Sequence, residues 1–165
     1  MKISEALLPE FDQESGMTKS VLERCPEAKF NFKPHAKSWD LISLANHLAN
    51  LPTWSLITMK QDIFDIAPPG APPYKEELAK TTAELVNKFV KNTADARLAI
   101  AEASDEDFAK IWTMLKGGEK IFSMPKNRLH AFVHIESQHF PSRTAGGLST
   151  FDRCSGAGTL WAIGR

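Results

Sequence analysis

The side chains able to ligate a metal or move a proton in this chain reduce to five histidines: His35, His47, His130, His134 and His139. No glycine-rich phosphate loop is present, and neither GxSxG nor HExxH occurs. No pair of carboxylates stands apart by its spacing from ordinary solvated helix faces. His130 and His134 are four residues apart, so on a helix they would share a face. Two histidines from one helix and one from another can hold a divalent metal and leave positions open for water or substrate. Such a set suits Zn, Ni, Co or Fe alike. His35 lies between Pro34 and Ala36 in a polar connection and reads as a solvent-exposed side chain.

The element that must position His47 is the stretch Ser38–Lys60, SWDLISLANHLANLPTWSLITMK. Leu44, His47, Leu48, Leu51 and Trp54 recur at three- and four-residue steps, which predicts an amphipathic helix with one imidazole in its apolar stripe. Ser38 is the expected N-cap. Pro52 removes a backbone donor to Leu48 and predicts a kink near His47. A histidine there is either a metal ligand pointing into a bundle or a satisfied core residue.

Three further helices are expected around it. The first covers about Ser4–Arg24, with Leu7, Leu8, Phe11, Thr18, Val21 and Leu22 buried and Pro26 ending it. Phe30 and Phe32 in the following connection are expected to lie extended against the bundle. DIAPPGAPP, with four prolines and a glycine, marks a crossover loop. It leads to a helix over about Lys75–Ala103, with Leu78, Leu85, Phe89, Ala96 and Ile100 inward. A link of that length means the second and third helices need not be antiparallel neighbours. Ser104 to Asp107 reads as a capped short turn. Ile111–Leu115 and Lys120–Ser123 flank Gly117-Gly118 and predict a β-hairpin, with no parallel sheet. Pro125 is placed to open a fourth helix. The fold class is therefore all-α: a four-helix bundle with a long crossover loop and a small β-hairpin before a shortened last helix.

Composition sets the outer bounds. The 165 residues suit one domain with a real core. Twenty basic residues balance twenty acidic ones, so no overall charge points to nucleic acid or an anionic membrane. Cys25 and Cys154 make neither a disulfide framework nor a metal knuckle. The expected location is the cytoplasm. The early acidic residues argue against a signal peptide, and no segment has the roughly 20 apolar residues of a membrane span.

Four segments together resemble a known family. LLPEFDQE, RCPEAKFNFKPHAKSWDL, LANHLANLPTW and WTMLKGGEKIFSMPKNRLHAFV follow in the order found in DinB-like, YfiT-type bacterial proteins. The resemblance spans residues 5–133, about four fifths of the chain. It implies a four-helix bundle with a long crossover, a divalent metal (Zn or Ni foremost) held by three histidines, and frequent homodimers. Some relatives of this kind transfer low-molecular-weight thiols or hydrolyse small substrates, and many have no known activity. The metal's contribution there would be to lower the pKa of a bound water or thiol. The family's first ligand falls on His47. Its other two lie four apart on the last helix, in a word like LNHLIHHREQL, at the positions of Ser137 and Pro141.

After Val133 the chain departs from that pattern. HIESQHFPSRTAGGLSTFDRCSGAGTLWAIGR has no apolar period and is rich in Gly, Ser, Thr and Arg. Back-translated and read one nucleotide later, it permits Leu-Asn-His, then HREQLGVYLRLTDVPVP, then ALYGPSAD, which is the family's text in order. The expectation is a domain over residues 1–133 and an out-of-frame, irregular tail over 134–165. His134 and His139 then inherit no ligand role by motif. His130 and His134 lie one heptad early, roughly 10 Å along a helix. His47 remains as the inherited ligand, with the metal site impaired in this chain. The competing reading is a non-catalytic helical binding or assembly module with His47 in its core. Partners expected are a small-molecule substrate and a second copy in intact relatives, with no nucleic acid and no membrane.

Overall fold

A computed structural model describes residues 2–71 and 77–128. The chain order is α1 (Ile3–Glu23), a short 3-10 turn (Glu27–Lys29), α2 (Leu41–Lys60), β1 (Ile63–Asp65), α3 (Thr82–Glu102), α4 (Asp105–Ala109), β2 (Ile111–Lys116) and β3 (Glu119–Pro125). The protein is mainly helical, with three long helices and a small three-stranded sheet. Residues 126–128 are in helical geometry after Pro125. The rest of the expected fourth helix, its loss of regularity past Val133, and the tail over 134–165 lie outside the described residues, as do His130, His134 and His139.

Direction along the bundle follows from side-chain contacts. Asn92 Nδ2 on α3 donates to the Ala49 carbonyl of α2 at 2.9 Å, and Lys60 meets Glu102 at 3.2 Å. Both numbers rise together, so α2 and α3 are parallel neighbours. That arrangement requires the long link between them. Helix α1 runs the other way: Asp12 takes a two-pronged bond from Arg97, Asp105 accepts from the Ile3 amide, and Cys25 accepts from Thr82 Oγ1. One apolar cluster joins Leu22, Ala45, Leu48, Ala49, Leu85 and Phe89, and a second joins Phe11, Ala96, Ile100 and Phe108.

Several sequence expectations shift. Asp40, not Ser38, caps α2, and its Oδ1 accepts from the Ser43 amide at 3.0 Å. The helix starts late because the amides of Leu41 and Ile42 are taken by the carbonyls of Phe32 and Phe30. Phe30 packs on the first cluster, but Phe32 is 58% exposed. Helix α3 begins at Thr82, where Thr81 Oγ1 accepts from the Glu84 amide. Leu78 precedes it and is exposed, and Val21 of α1 is exposed as well. Helix α1 also carries Pro9 and α2 carries Pro52, and both helices run on through the proline.

The hairpin forms where Gly117-Gly118 predicts it. Both glycines have positive φ (64° and 82°), the requirement of a two-residue turn matched to strand twist. The expectation of no parallel sheet is corrected here: β1 pairs in parallel with β2 over Ile63↔Thr113 to Asp65↔Leu115, making a mixed three-stranded sheet. Three residues are too few to show alternation in sequence, and the pairing depends on Asp65. Its carboxylate accepts from the amides of Ala67, Gly117 and Gly118 at 2.9, 3.0 and 2.7 Å. Trp112 and Met114 of β2 are buried against Trp54 and Ile57 of α2. This sheet therefore covers the C-terminal half of α2 and leaves the His47 half to other elements.

These contacts set an acid limit on stability. Desolvation raises the Asp65 carboxyl, but the three backbone donors outweigh it and hold its pKa low. Hydrogen bonding and charge from Lys126 lower Asp62, and the bond from Ser43 lowers Asp40. A carboxyl depressed in the folded state contributes stability that is complete above its unfolded value and is lost as pH falls through the folded one. The melting temperature should thus be level above about pH 4 and fall below it. Asp65→Asn should flatten that slope, as measured by thermal melts across the acid range.

Candidate functional site

His47 is half-buried on α2, and its ring meets Trp39 edge-on with centroids 5.4 Å apart. Leu44 and Leu51, on the same stripe, are also half-buried. The buried face of α2 is one step round: Ala45, Asn46, Leu48, Ala49, Pro52, Ser55 and Thr58. The sequence stripe pointed at the larger side chains, whereas the parallel contact with α3 selects small residues that let two helices approach. His47 therefore sits at the margin of the α2–α3 seam.

Beside it, Asn46 is wholly buried and grips the end of the crossover link. Its Oδ1 accepts from the Ala79 amide at 2.8 Å, and its Nδ2 donates to the carbonyls of Ala79 (3.3 Å) and Ile42 (3.0 Å). Apolar periodicity passes over such a residue. The signal available was an amide inside an otherwise small and apolar stretch, since a buried amide must find partners. Trp39 was missed for a different reason: it precedes the helix and belongs to no period.

Lys126 is the third unanticipated residue. Its side chain is 3% exposed, and Nζ bonds Asp62 at 2.7 Å and the Met59 carbonyl at 3.4 Å. A lysine at the last carbonyls of α2 satisfies orphan acceptors and opposes the helix dipole. It also pins the start of the C-terminal segment to the far end of α2 from His47.

His35 is exposed, as expected, and its Nδ1 accepts from the Lys37 amide at 3.1 Å. The Cys25 thiol, at the same end as His47, is pushed up by burial, which weakens it as a nucleophile. Among the described residues, no three His, Cys, Asp or Glu side chains converge as metal ligands. His47 is one donor, and the described residues do not complete a set around it.

A family model described as the DinB superfamily matches residues 10–139. The chain belongs to the DinB superfamily. No curated protein matches it. The matched span of this DinB chain holds α2, α3, the sheet and His47, and α1 from residue 10 onward. Among its described residues, no helix is long and apolar enough to cross a membrane.

Proposed function

We propose that this DinB chain is a divalent-metal-binding scaffold in which His47 is the first ligand and the C-terminal segment would supply the others. The register set by Lys126 carries this reading. Lys126 is fastened at Met59, twelve residues beyond His47 on α2. In an intact relative, a fourth helix returning along α2 would need about the same twelve residues, roughly 18 Å, to come level with His47. That reaches about position 138. Positions 137 and 141, where the family resemblance puts the remaining histidines, bracket it. In this chain they are Ser137 and Pro141, so metal binding should be weak. We attribute the substitution to out-of-frame reading after Val133. With the histidines in place, the scaffold's reaction class would be hydrolysis or thiol transfer on a small molecule.

The test is a metal-binding cycle. Calorimetric titration of the untagged chain with Zn or Ni should show weak uptake. Ser137→His with Pro141→His should tighten it, and adding His47→Ala should abolish the gain. Equal tightening without His47 would sink the assignment. The edge-on packing of His47 on Trp39 favours a second reading, a non-catalytic helical module with His47 as a packing residue. On that reading, neither restored histidine changes metal affinity.

A further inference from the structure

The parallel arrangement of α2 and α3 places both of their N-termini, and so the positive ends of both helix dipoles, at the His47 end of the bundle; the C-terminus of α1 offsets one of them. The loop capping that end is basic. From Ala28 to Trp39 it carries Lys29, Lys33, His35 and Lys37 and no acid, in a chain whose formal charge is zero. All four side chains are exposed. None of the three lysines is in an ion pair among the described residues. Most of the nearby acids bond away from the loop, while Asp40 also feels the charge of Lys33. Glu27 accepts from the Thr82 amide, Asp40 from the Ser43 amide and Glu84 from the Lys80 amide, while Glu23 pairs with Lys19. Glu77 at the same end lies outside these bonds. The loop is nonetheless held in shape: Phe30 and Phe32 carbonyls take the amides of Ile42 and Leu41, and Ser38 donates to the His35 carbonyl. It ends on Trp39, whose ring is against His47. Phe32 adds an exposed apolar face within the lysines.

We infer that residues 29–39 form the rim that receives a small, multiply anionic substrate at the His47 site. Lysine ammonium groups on a fixed loop would attract the anionic groups without demanding one geometry. Phe32 and Trp39 would cover the apolar remainder. The inference rests on His47 marking the site, but its test does not need metal. Citrate is titrated into the metal-stripped full chain at low salt, with NMR following the loop amides, the Trp39 indole and the His47 ring. Saturable shifts confined to these groups are expected. Lys33→Gln with Lys37→Gln should weaken citrate by about fivefold to tenfold, while Lys60→Gln with Lys116→Gln at the far end leaves it unchanged. No saturable shift, equal shifts with glycerol, or no response to the loop substitutions would overturn the inference. Loop shifts that spare His47 would also overturn it, while leaving the metal titration free to stand. A short oligonucleotide bound roughly a hundredfold more tightly than citrate would overturn it in favour of a nucleic-acid surface.

Discussion

Asn46→Leu should lower the stability of the fold by about 3 kcal/mol. The amide holds both backbone groups of Ala79, and Ala79 is itself buried. Leucine is close in volume, so the change removes the partners and leaves little cavity. A buried donor and acceptor without partners lose about 1–3 kcal/mol each, and the added apolar surface returns only part of that. In a chain of this size the melting temperature should fall by roughly 6–12 °C. Urea denaturation would measure it, and amide exchange at Ala79 should accelerate beyond the global change. An unchanged exchange rate at Ala79 would show that the link is held by something else.

The pair Lys126–Asp62 should respond unequally to its two removals. Lys126 is enclosed, whereas the Asp62 side chain is 62% exposed. Asp62→Ala leaves a buried ammonium beside the Met59 carbonyl without its carboxylate partner, and should clearly destabilise the fold. Lys126→Met removes the buried charge along with the pair and keeps the stem's packing. It should lie within about 1 kcal/mol of the parent, because Asp62 returns to water. The double variant should resemble Lys126→Met alone. Denaturant titration of the three variants decides the matter, and equal losses from the two single changes would contradict the burial asymmetry.

The helices were legible because their apolar residues repeat over five or more turns, and the Gly-Gly hairpin because glycines take the positive φ of its turn without strain. What escaped the sequence depended on partners distant in the chain. Ala45 and Ala49 became core because α3 lies parallel to α2, and a count of large side chains favoured Leu44 and Leu51 instead. Strand β1 owes its existence to β2, about fifty residues on. Ser38 lost the cap to Asp40 because Phe30 and Phe32 occupy the first amides. At the site, His47 was found by its place in a helix and by family resemblance, while Asn46, Trp39 and Lys126 act through long-range contacts that leave no local pattern.

The crossover link is fastened at both of its ends, by Asp65 at the hairpin turn and by Asn46 at Ala79. Its covalent continuity between those two points should therefore be dispensable for keeping the halves in register. Severing the backbone within Pro68–Ala71 divides the molecule into one piece carrying α1, α2 and β1 and another carrying α3 and the hairpin. The two pieces share the α2–α3 seam, the Arg97–Asp12 bond and the β1–β2 pairing. Produced as separate polypeptides, they are natural candidates for reassembly in the test tube, with His47 on one and Ala79 on the other.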